Sequence, residues 1–93
     1  MDVNFELGDL KFVWDSEKAD INYKKHKLAF EDAARVFLDE YRLDYYDELH
    51  SDAEERIKTV GFVRNVLAVI YTERSEVNRI ISARRATRRE GAK

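Results

Sequence analysis

Cysteine and proline are absent from the 93 residues, glycine occurs three times and histidine twice. Without cysteine there is no disulfide framework, no thiolate zinc site and no thiol nucleophile, and His26 and His50 alone are too few for a compact imidazole metal centre. A reducing cytoplasm suits such a chain. No apolar run approaches the roughly 18 residues that cross a bilayer, and the opening MDVNFELGDL carries acid where a signal peptide carries base. A soluble, unexported, cytoplasmic protein with no membrane partner is therefore expected. A glycine-rich phosphate loop, a G-x-S-x-G elbow and an H-E-x-x-H helix are also missing, which argues against P-loop nucleotide hydrolysis, serine esterase chemistry and zinc proteolysis.

What is present is enough for one core. Hydrophobic residues make up 44% of the chain, with five Phe, five Tyr and one Trp, which outweighs the disordering tendency of 39% charged residues. Two cores would each be too small to fold unaided. A single domain over residues 1–93 is expected, with residues 1–10 and 90–93 free to fray. The net charge of −2 conceals a strong asymmetry. Residues 39–55 hold eight acids against one base, Arg42, whereas residues 79–93 hold six bases against one acid, Glu90. Local field rather than overall balance therefore governs polyanion binding.

Along the chain, residues 10–14 read as a strand and Asp15 or Ser16 as the cap of a helix from about Glu17 to Lys25. Phe30, Ala33, Ala34 and Phe37 fall at i, i+3, i+4 and i+7, so residues 29–38 are predicted to be one helix lying on a sheet, with Val36 and Leu38 widening its buried face. Residues 42–46 fit a short strand, 48–55 an acidic loop, and 57–62 a half-buried strand ending in an Arg64-Asn65 hairpin turn in which Asn takes positive φ. Residues 66–71 form a continuous β-branched run suited to a central strand, and 79–84 a further strand after a turn at 75–78. The tail from Ala86 is a short basic helix or frayed end, for which Thr87 is a cap. Helices followed by hairpins predict an α+β fold: a small antiparallel sheet with the N-terminal helices packed on one face.

The densest chemistry is cationic. Arg74, Arg79, Arg84, Arg85, Arg88 and Arg89, with Lys18, Lys24, Lys25 and His26 as neighbours, could bind phosphate oxygens and stabilise charge in phosphodiester cleavage, or could pair with the acidic segment as a solvated face. His26 is either a general acid or base or a helix-end residue. Trp14 either stacks on a nucleobase or belongs to the core. Tyr45, Tyr46 and Tyr71 fit strand packing.

Four blocks in order then carry a resemblance: Phe12-Val13-Trp14-Asp15-Ser16-Glu17-Lys18-Ala19; Asn22-Tyr23-Lys24-Lys25-His26 with Phe30-Glu31-Asp32-Ala33-Ala34-Arg35-Val36-Phe37; Glu55-Arg56, Gly61 and Val69-Ile70-Tyr71-Thr72-Glu73-Arg74; and Arg79-Ile80-Ile81-Ser82-Ala83-Arg84-Arg85-Ala86-Thr87. Over about residues 11–90 the chain resembles the BrnT family of toxins from bacterial type II toxin–antitoxin systems. The resemblance implies a RelE-like fold and a metal-independent, cofactor-free endoribonuclease that inhibits translation. It also implies neutralisation by a BrnA-like ribbon-helix-helix antitoxin, operator DNA being bound only through their complex. On the same ground Arg74 and Arg84 are expected to hold the phosphate and the transition state, with Lys18 assisting and His26 moving protons. Trp14, Lys25, Arg79 and Arg85 are expected to contact the RNA substrate. The alternative is a non-catalytic RelE-like module that binds a partner protein or nucleic acid. Lys27 stands where the family usually has glycine at a helix end, so that end is expected to close differently.

Overall fold

Val3, Phe5 and Leu7 alternate with polar residues, a strand pattern. In the computed structural model, which describes residues 1–47 and 54–91, they form strand β1 (Asp2–Leu7), where the sequence reading placed no structure. A turn at residues 8–9, with Gly8 at φ 62, returns the chain into β2 (Leu10–Asp15), Leu7 facing Leu10. Helix α1 (Ser16–His26) begins as predicted. The Asp15 carboxylate accepts the Lys18 N–H at 3.0 Å, and that hydrogen bond holds its pKa below the ordinary carboxylate value. At its other end Lys27 takes φ 59 and donates its N–H to Tyr23 O at 2.7 Å, so the helix closes in the left-handed manner after all, with lysine in glycine's place.

The single helix expected over residues 29–38 is corrected. Helix α2 (Phe30–Ala34) tightens at Arg35 into a 3-10 turn, Arg35–Leu38. Close approach to Gly61 explains it: a Cβ at Gly61 would lie 2.8 Å from Val36 Cγ1, so the tightened turn seats Val36 in the only space a glycine leaves. Leu38 is exposed as a result and does not widen the buried face.

Four more strands follow: β3 (Leu43–Tyr46), β4 (Ile57–Val63), β5 (Asn65–Arg74) and β6 (Val77–Arg85). Arg64, not Asn65, takes the positive φ at the first of these hairpins, because Val63 pairs directly with Asn65 and leaves one residue to reverse the chain. Ser75 and Glu76, at φ 47 and 67, make the next turn a two-residue hairpin between Arg74 and Val77. The sheet order is β1-β2-β6-β5-β4-β3. The expected all-antiparallel sheet is also corrected, since β2 runs parallel to β6 through Phe12–Asn78 and Val13–Arg79. A parallel pair needs a long crossover connection, and the helices with strands β3 to β5, which lie between β2 and β6 in the chain, supply it. Of the predicted acidic loop, residues 48–53, including His50, lie outside the described residues.

The core gathers Phe12 and Trp14 of β2, Phe30, Ala33, Ala34 and Val36 of the helical segment, Leu67 and Val69 of β5, and Ile80 and Ala83 of β6. Trp14 meets Phe30 edge-on at 5.7 Å, and Phe37 meets Phe12 and Tyr71 likewise at 5.1 and 4.8 Å. Asn22 is one of three buried polar residues among those described, with Thr59 and Thr72. Its Nδ2 donates to Ala83 O at 2.9 Å and its Oδ1 accepts the Ala83 N–H at 3.1 Å, replacing the ladder partner that β2 withdraws when it turns into α1.

Candidate functional site

The cations of β6 are sorted by a bulge. Ser82 pairs with Ile70 but Ile80 with Tyr71, so Ile81 is an extra residue. In a regular strand positions 79 and 84 would face opposite ways. The insertion turns Arg79 and Arg84 to the same side, opposite Thr72 and Ala68 and away from the core.

On that open face Arg84 makes a two-pronged contact with Glu90: Nη1 donates to Oε1 at 2.8 Å and Nη2 to Oε2 at 2.9 Å. Lys58 Nζ of β4 donates to Oε2 at 2.7 Å and lies 5.4 Å from the centre of the Tyr45 ring of β3. Glu90 belongs to the short helix α3 (Arg88–Gly91), where it and Thr87 cap each other. The Thr87 N–H donates to Oε1 at 2.8 Å and the Glu90 N–H to Oγ1 at 3.2 Å. The hydrogen bonds from Arg84, then those from Lys58 and Thr87, hold the Glu90 carboxyl well below the usual range, and Glu90 in turn raises Arg84. Both groups are therefore ionised at neutral pH. A groove of about 500 Å3 opens beside them, lined among others by Tyr45, Lys58, Ile70, Ser82 and Arg84.

Arg84 also borders a shallower hollow of about 530 Å3, where the last turn of α1 meets the end of β6, shared by Lys25, His26, Lys27, Arg85 and Thr87. Four of the eight residues singled out in the sequence, Lys25, His26, Arg84 and Arg85, thus converge. The others do not. Arg74 lies on β5 itself, six residues beyond Ala68, the residue that pairs with Arg84, and so roughly 20 Å from Arg84; its Nη2 lies 2.6 Å from Glu54 Oε2. Arg79 binds Asp2 of β1 at 3.0 Å. Lys18 is exposed in the first turn of α1, eight residues and about 12 Å along the axis from His26. Trp14 is only 2% exposed, so its ring is closed off by Phe5 and Phe30 and offers no face to a base; the nucleobase-stacking expectation is corrected in favour of the core.

Sequence reasoning passed over Lys58 and Glu90 as site residues. The Thr87-x-x-Glu90 spacing of a capping box was the available signal for Glu90. Nothing local marked Lys58, because its place depends on β3 and β4 pairing. Among the described residues no three His, Cys, Asp or Glu side chains group as metal ligands, and no helix is long and apolar enough to cross a membrane.

A family model described as "Ribonuclease toxin, BrnT, of type II toxin-antitoxin system" matches residues 14–90. No curated protein matches the chain.

Proposed function

Because the chain belongs to the BrnT family of type II toxin–antitoxin ribonucleases, we propose that it cleaves RNA at the end of β6, with Arg84 binding the scissile phosphate. The observation that carries this reading is the convergence of Lys25, His26, Arg84 and Arg85 around one hollow, fed by two different elements. A guanidinium fork matches the two non-bridging oxygens of a phosphodiester and keeps its charge at any working pH.

In the proposed reaction the ribose 2′-oxygen attacks the adjacent phosphorus and the 5′-oxygen leaves, giving a 2′,3′-cyclic phosphate and a 5′-hydroxyl. One proton leaves the 2′-hydroxyl and one reaches the 5′-oxygen. Arg84 neutralises the charge that builds on the phosphoryl oxygens, and His26 serves as proton carrier. Lys25 and Arg85 hold flanking phosphates. Lys18, Arg79 and Arg74 are outer RNA contacts in this reading, since each lies away from the hollow. Chemistry of this kind needs no metal, as the fixed cations supply the charge stabilisation. The same proposal includes a RelE-like arrangement, cytoplasmic arrest of translation, inhibition by a BrnA-like ribbon-helix-helix antitoxin, and operator DNA binding through that complex.

The test is cleavage of a defined messenger RNA by purified protein and its variants. Arg84→Ala is expected to lower the rate by roughly 10²–10³-fold, the loss typical of one preorganised charge stabiliser, while Arg74→Ala stays within about twofold of the parent, being remote from the scissile phosphate. Equal turnover by Arg84→Ala and parent would remove Arg84 from the reaction. RNA binding without cleavage by the parent would favour a non-catalytic module.

A further inference from the structure

We propose that Glu90 is an internal stand-in for the substrate phosphate, so that α3 acts as a latch which an RNA phosphodiester must displace from Arg84 and Lys58. The proposal rests on the assignment of Arg84 as the phosphate ligand and adds how access to it is controlled.

A carboxylate presents two oxygens in a plane at nearly the spacing of two phosphate oxygens, and both are taken. Oε1 receives Arg84 Nη1 and the Thr87 N–H; Oε2 receives Arg84 Nη2 and Lys58 Nζ. A phosphodiester carries the same single charge, so the two ligands compete for one pair of cations. Among these contacts only the Thr87 bond is internal to the tail, and it survives if the tail moves as a unit.

The rest of the tail holds weakly. None of the residues of α3 is buried, so no apolar side chain fastens it to the sheet. Ala86 N–H donates to Val66 O at 2.9 Å, which fixes a pivot just before the helix. Residues 86–87 are irregular backbone between β6 and α3, the place where rotation would be absorbed. Beyond that pivot the Glu90 carboxylate carries every hydrogen bond and ion pair described between α3 and the sheet, to Arg84 and Lys58. Glu90 is also a poor proton acceptor while so held, which separates a blocking role from a catalytic one.

When a site is available only in an open fraction of molecules, apparent affinity falls by that fraction. Glu90→Gln keeps the length and the capping box, in which glutamine serves as well as glutamate, but removes the charge. The experiment measures binding of a fluorescein-labelled, fully 2′-O-methylated 20-nucleotide RNA of mixed sequence, which cannot be cleaved through its 2′-oxygen. It compares the full-length parent, Glu90→Gln, Arg84→Ala, the Arg84→Ala/Glu90→Gln double variant, and Glu31→Gln. Glu31 is exposed on α2 and controls for the loss of one negative charge anywhere. Glu90→Gln is expected to bind at least about tenfold more tightly than parent, Glu31→Gln within about twofold, and the double variant to gain much less over Arg84→Ala than Glu90→Gln gains over parent, since only Lys58 is then released. Gain by Glu90→Gln no larger than by Glu31→Gln overturns the latch while leaving Arg84 as phosphate ligand. If Arg84→Ala binds as well as parent, the phosphate assignment fails and the latch fails with it. Persistence of the full gain in the double variant would also refute the latch, because the relief would not then act through Arg84.

Discussion

Asn22 supplies the sharpest test of how the site is built. Its amide lies in α1, is 7% exposed, and occupies both main-chain groups of Ala83, the residue before Arg84. Asn22→Ala leaves that N–H and C=O in the interior with no partner. Each orphaned group costs about 1–3 kcal/mol, less whatever water reaching the vacated space restores, so a net loss of about 2–4 kcal/mol is expected. For a domain of this size 1 kcal/mol moves Tm by about 4–8 °C, which puts the fall at roughly 8–32 °C. Urea unfolding followed by circular dichroism should show a lower midpoint at unchanged slope. Asn22→Asp is a companion test. It keeps an acceptor for the Ala83 N–H but sets a carboxylate oxygen against Ala83 O, so it should be at least as damaging at pH 7 and should recover as acid protonates it. A loss below about 1 kcal/mol for Asn22→Ala would refute the claim that this amide replaces a strand partner.

Other substitutions probe separate features. Gly61→Ala brings a Cβ to 2.8 Å from Val36 Cγ1 and 3.0 Å from Arg42 Cβ; a cost of about 1–3 kcal/mol is expected in chemical denaturation. Lys27→Gly relieves a left-handed lysine at φ 59, and after the entropy glycine adds to the unfolded chain it should gain about 0.5–1 kcal/mol, read as a Tm rise of a few degrees. Glu90 has a depressed folded-state pKa, so its contribution is complete above its ordinary value of 4.5 and is lost as pH falls below that towards the folded value. The stability advantage of parent over Glu90→Gln should therefore shrink below pH 4.5, measured by paired thermal melts, and an advantage that grew with acid would contradict the Arg84 and Lys58 contacts.

Local signals were legible and long-range ones were not. Asp15 announced the start of α1, and the apolar run 66–71 announced β5, because a cap or a β-branched run acts within a few residues. The alternation of Val3, Phe5 and Leu7 was visible, but too short to outweigh its terminal position. The β2–β6 pairing joins Phe12 to Asn78, a distance in sequence that no periodicity reports. The break of the helix after Ala34 depends on Gly61, which arrives from another strand. For the site, charge composition pointed to the arginines, but the bulge at Ile81 decides which of them share a face, and the length of β5 separates Arg74 from Arg84. Trp14 went to the core because it alternates with Val13 and shares the inward side of β2 with Phe12.

The parallel contact between β2 and β6 has a consequence for synthesis. Strands β3, β4 and β5 pair only with sequence neighbours and can associate as they emerge, whereas β2 meets its inner partner, β6, at residues 78–79. Trp14 and Phe12 therefore wait, with one side of their strand unmatched, until Asn78 and Arg79 of β6 have been made. Closing so long a loop is the slow kind of contact.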